Sequence, residues 1–88
     1  MQYEVIWKKK IDKQILEMPE AEQKAFDLLV KDLKKKGPIQ QSWRNFSRIG
    51  KNKYHCHLSY HWVACWHCEK KSIVVEVTYA GSREKAPY

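Results

Sequence analysis

"KYHCHLSYHWVACWHCEKK", residues 53–71, holds all four histidines and all three cysteines of the chain, between His55 and Cys68. The spacing in this stretch decides the fold class. YHCHL (54–58) and WVACWHC (62–68) both repeat with period two, on either side of a short break, as two strands of a meander do. In the first strand the alternation sets Tyr54, Cys56 and Leu58 on one face and His55 and His57 on the other. The first set is apolar enough to face a core. The two imidazoles then stand on the open face of a sheet.

Working outward, SIVVEVTY (72–79) is the next strand, with Ile73, Val75, Val77 and Tyr79 as its apolar set and Glu76 and Thr78 opposite. Gly81 is expected to break the sheet and leave the tail SREKAPY. Upstream, WRNFSRI (43–49) reads as a strand that leads through the turn GKNK into YHCHL. Before that the period becomes helical. Phe26, Leu29, Val30 and Leu33 form one apolar stripe, Pro19 suits the first helical position, and Gly37-Pro38 stops the run. Glu20 and Glu22 lie at its positive end and Lys34–Lys36 at its negative end. Asp12 is expected to cap a shorter helix, KQILEM, and Tyr3, Val5 and Trp7 alternate as an opening strand that Lys8–Lys10 ends. The order is a strand, two helices or one bent helix, then a three- to four-stranded antiparallel meander. That is an α+β fold, one domain over residues 1–88.

The chain has 88 residues, 43% of them hydrophobic, with four Trp, five Tyr and two Phe, enough for a small folded core. No run approaches the ~20 apolar residues of a bilayer span, and the amino terminus has no signal-peptide stretch, so a soluble cytoplasmic protein is expected. Three cysteines make no closed disulfide framework, which fits a reducing compartment. A net charge of +7 suits a polyanionic partner, nucleic acid, the ribosome or an acidic protein, and equally a solubilising surface.

Two chemistries compete for the histidine and cysteine cluster. Cys65-x-x-Cys68 with His55-x-His57 would make a four-ligand zinc set on paper. The pair between the cysteines is Trp66-His67, without the glycine or proline of a tight turn, and strand residues three apart point to opposite faces. The cysteines therefore read as small buried hydrophobes, and no metal or other cofactor is expected, with zinc on the His-x-His pair as the minority reading. Two imidazoles on one strand face with Glu76 nearby, rimmed by Lys and Arg, read instead as an acid–base surface. Trp62 and Trp66 share a face with Ala64 and belong in the core, with a base-stacking platform as the other reading; Trp43 fits either.

Taken together, the stretch from Tyr3 to Pro38 and the stretch from Trp43 to Tyr88 resemble the RelE/ParE toxin superfamily over nearly the whole chain. In that superfamily the first meander strand is usually Tyr-Arg-aliphatic-Arg, and the last ends in Gly-His-Arg or Gly-Lys-Arg with a tyrosine a few residues later. Here YHCHL and YAGSREKAPY occupy those places, so His55 and His57 stand where the family has arginines, and Ser82 stands where it has His or Lys. The resemblance implies a type II toxin partnered by a cognate antitoxin. It acts either as an endoribonuclease on mRNA in the ribosome or, in the ParE branch, non-enzymatically on a protein such as DNA gyrase.

Metal-free RNA cleavage uses the substrate's own 2′-OH as nucleophile and needs a base, an acid and a cation for the phosphorane. The resemblance makes Arg83 the catalytic guanidinium and Tyr88 the tyrosine that closes the site. His55 and His57 are the base and acid in this reading. Arg44, Arg48, Lys51 and Lys53 are expected to rim the same face and hold the RNA backbone. The Lys8–Lys10 and Lys34–Lys36 runs read as solvated or rRNA-facing surface.

Overall fold

The computed structural model describes residues 2–88. It opens with β1 (Glu4–Trp7), then α1 (Lys9–Glu17), α2 (Glu20–Lys36), β2 (Ser47–Gly50), β3 (Lys53–His57), β4 (Trp62–His67) and β5 (Val74–Ser82). A single 3-10 turn, Arg83–Lys85, begins the tail. The five strands form one sheet in the order β1-β5-β4-β3-β2. β2 to β5 are the antiparallel meander, and β1 lies parallel to β5 with Glu4 level with Val74 and Trp7 level with Val77. The helical pair carries the chain from one edge of the sheet to the other.

The helices cover one face. Ile11 of α1 and Phe26, Leu29 and Leu33 of α2 are buried to 1% or less against Trp66 and Val75 of the sheet. Trp7 meets Phe26 edge to face at 5.4 Å. Among the described residues, no helix is long and apolar enough to cross a membrane.

Local detail departs from the sequence reading in several places. Asp12 is not the cap of α1; Lys8 holds that position, and the helix starts early enough to place Ile11 in the core. Asp12 instead accepts the Trp7 indole N–H at 2.8 Å from within the first turn, at the positive end of the helix. Pro19 is the residue before α2 rather than its first, because its ψ of 155° is extended; its carbonyl takes the N–H groups of Glu22 and Gln23. The strand expected from Trp43 begins only at Ser47. Trp43 is held in a turn by its indole N–H on Asp32 at 2.8 Å, and Asn45 takes a left-handed φ of 52° that no strand allows.

Gly81 does not end the sheet either. It pairs with Val63 inside β5, where an added Cβ would lie 2.8 Å from the Tyr79 hydroxyl oxygen, so its smallness serves packing rather than chain reversal. Tyr79 is also not on the core side. Trp66 is level with Val77 and Cys65 with Tyr79, which leaves Thr78 as an extra residue, a β-bulge. Past the bulge the alternation inverts. Val75, Val77 and Ala80 face the helices, while Tyr79 joins Cys65 and His55 on the other face.

That second face is not open. Val63 and Cys65 point away from the helical core yet are 0% and 1% exposed. The carboxy-terminal tail folds back over part of this face, with Pro87 beside Cys65 and Tyr88 against His55.

Candidate active site

β3 brings His55 and His57 side by side, ring centroids 5.6 Å apart. Cross-strand pairing surrounds His55 with Ser47 on β2 and Cys65 on β4. Its Nδ1 shares a 2.9 Å hydrogen bond with the Ser47 hydroxyl, and the Tyr88 ring lies 4.5 Å away. The backbone N–H of His57 donates to the Arg44 carbonyl at 2.8 Å, and its Nδ1 is 3.5 Å from the Asn45 amide. The two side chains sit in residues only 7% and 8% exposed.

Burial holds both imidazoles below their ordinary value. For His55 a backbone hydrogen bond at Ser47 offsets part of this, and the neighbouring His57 adds to it. For His57 the positive charges of Arg83 and then Arg44 push further in the same direction. Both rings are therefore mainly neutral at neutral pH. The Tyr88 phenol is pushed up, chiefly by burial, so it keeps its proton.

Arg83 follows β5 directly. Its N–H donates to the His61 carbonyl at 2.7 Å, and its guanidinium carbon lies 5.1 Å from the centre of the Tyr60 ring. The fold thus gathers His55, His57, Tyr88, Arg83 and Arg44 from β3, the tail and the loop before β2. Lys53 lies on the same face at the far end of β3, level with His67, in a cleft of about 360 Å³ shared with Cys65 and Pro87. Arg48 and Lys51 do not join them. Arg48 is level with Tyr54, on the helix side of the sheet, and bonds the Gly50 carbonyl, while Lys51 occupies the exposed β2–β3 turn. Glu76 is also absent from the cluster. It faces the histidine side of the sheet, as the alternation predicts, but level with His67 and Ile6 and three residues from Tyr79 along β5, so it stands at the far end of that face from the imidazole pair.

Cys65 lies on the histidine side and Cys68 in the helix-side core, so their sulfurs diverge. Among the described residues no three His, Cys, Asp or Glu side chains come together as a metal set.

Neither a family model nor a curated protein matches the sequence. Solved structures do match. The archaeal RelE of a RelE–RelB complex from Pyrococcus horikoshii OT3 aligns over 98% of this chain and 100% of its own, with a TM-score of 0.75 and 17% identity. The chain has the RelE fold. A free-state arginine mutant of the E. coli toxin RelE aligns over 98% of this chain and 88% of its own (TM-score 0.76, 15% identity). A metal-bound toxin from Helicobacter pylori covers 97% and 98% (TM-score 0.71, 17% identity).

The α+β order of elements, and the RelE-like fold that the resemblance implied, are therefore the ones observed. At such low identity the likeness carries the fold, and roles for individual side chains rest on this chain's own geometry. Within this RelE fold the sequence reading missed Ser47, Asn45 and Tyr60. Regular pairing across GKNK would set Arg48 opposite His55; a register shift between Arg48 and Gly50 brings Ser47 there instead, and no periodicity marks it. Asn45 and Tyr60 lie in turns, where no periodicity points to a partner.

Proposed function

We propose that this RelE-fold protein is the toxin of a type II toxin–antitoxin pair and cleaves mRNA on the ribosome, with the RNA's own 2′-OH as nucleophile. The observation that carries the reading is His57, paired with His55 at 5.6 Å and tied by its backbone N–H to the Arg44 carbonyl, an imidazole kept neutral by burial and, less, by the charges of Arg83 and Arg44. Neutral imidazole accepts the 2′-OH proton as the 2′-oxygen attacks phosphorus. The guanidinium of Arg83, itself exposed, faces the charge that gathers on the phosphorane. The Tyr88 phenol, protonated and tilted against the His55 ring, supplies the proton to the leaving 5′-oxygen. The products are a 2′,3′-cyclic phosphate and a 5′-hydroxyl. Arg44 and Lys53 hold flanking phosphates, and the +7 charge favours a polyanion. The RelE–RelB neighbour supports an antitoxin as the protein partner.

The test is purified protein added to a cell-free translation reaction containing end-labelled mRNA. Internal cuts ending in cyclic phosphate are expected. His57→Ala and Arg83→Ala should each slow them about 10²-fold or more. The near-complete burial of both imidazoles favours a second reading, in which they are structural and the protein is a non-enzymatic ParE-like toxin. Intact mRNA, with growth still arrested by the protein and by both variants, would select it, and inhibition of gyrase supercoiling would then be measured.

A further inference from the structure

The β3–β4 turn carries an aromatic side chain that neither the core nor the proposed chemistry uses. Tyr60 is 64% exposed, far more than a ring needed for packing. It is nevertheless held in place. The Arg83 guanidinium lies over the ring at 5.1 Å, and the His61 imidazole stands against it at 4.7 Å, nearly perpendicular. The Arg83 N–H bond to the His61 carbonyl ties the turn to the start of the tail. Together with Glu84 these residues line a cleft of about 280 Å³.

We propose that Tyr60, backed by Arg83 and His61, is a stacking subsite for one unpaired nucleobase of single-stranded RNA. A guanidinium over an aromatic ring leaves the rest of the π surface to solvent, and every base offers a flat face to it, without regard to sequence. Arg83 is shared. Its charge reaches His57, so a base stacked on Tyr60 belongs to a nucleotide beside the phosphate that Arg83 holds. The assignment of that phosphate as the scissile one rests on the nuclease reading above; the stacking itself does not.

The experiment is fluorescence anisotropy of the full-length protein with a labelled, unpaired 2′-O-methyl oligoribonucleotide, which has no 2′-OH to react, and with an abasic strand of equal length. Tyr60→Ala is expected to weaken the base-bearing strand about five- to a hundredfold and to leave the abasic strand unchanged. Tyr60→Trp should keep or improve binding of the base-bearing strand. Equal loss on both strands, no loss on either, or no binding of RNA by the native protein overturns the proposal. Because the probe cannot be cut, native protein that binds in this pattern but never cleaves mRNA would retire the nuclease reading and leave the subsite standing.

Discussion

Gly37→Ala tests how the end of α2 positions the loop that delivers Arg44 and Asn45 to His57. Gly37 sits at φ 83° and ψ −160°, a region only glycine occupies freely. Its N–H closes the helix on the Leu33 carbonyl at 2.8 Å. Forcing alanine there costs about 1–3 kcal/mol in backbone strain. A Cβ would also lie 2.5, 2.6 and 2.9 Å from three carbons of the Tyr3 ring, so that half-buried ring must swing away from the core. Losing part of its burial costs a further ~1–2 kcal/mol. A total near 3 kcal/mol lowers the melting temperature of a domain this size by roughly 12–24 °C. The assay is a thermal or urea melt followed by tryptophan fluorescence, run as a double-mutant cycle with Tyr3→Ala. Without the ring, Gly37→Ala should cost only the backbone share. A Gly37→Ala variant that melts within a few degrees of the native protein, or strict additivity of the two changes, would refute the clash with Tyr3.

The histidines make stability depend on pH. Their folded values lie below the ordinary 6.5, so the unfolded chain binds more protons in mild acid. Their contribution is present above 6.5 and is lost as pH falls through the lowered values. The urea midpoint should fall between about pH 7.5 and 5.5, and less so in His55→Gln/His57→Gln; a flat or rising midpoint contradicts the burial argument. The three free cysteines are all buried, with the Cys65 thiol pushed up to about 12 by burial and those of Cys56 and Cys68 also raised. A thiol reagent at about pH 8 should react slowly with native protein and with all three once it is unfolded; one fast thiol in the native state would refute this. Removing Pro87 and Tyr88 should uncover the histidines and raise their rate of modification by diethyl pyrocarbonate, and an unchanged rate would show that the tail does not shield them.

The sequence by itself determined the helical stripe from Phe26 to Leu33, the strand alternation of YHCHL, and hence that His55 and His57 share a face. These are local properties. A side chain's direction follows from the period of its own element, and burial selects the apolar side. What lies across from a residue does not follow from period. The parallel seat of β1 beside β5, the bulge at Thr78 that turns Tyr79 to the histidine side, and the register that sends Arg48 to the helix side all depend on pairing between distant segments. A single inserted residue inverts every side chain beyond it. The return of the tail, which sets Tyr88 on His55 and Arg83 over Tyr60, is likewise a contact between segments far apart in the chain. The histidine pair was therefore legible in the sequence. The cations, the phenol and the cover around it were decided by tertiary structure, because long-range packing rather than local periodicity chooses the neighbours of turns and chain ends.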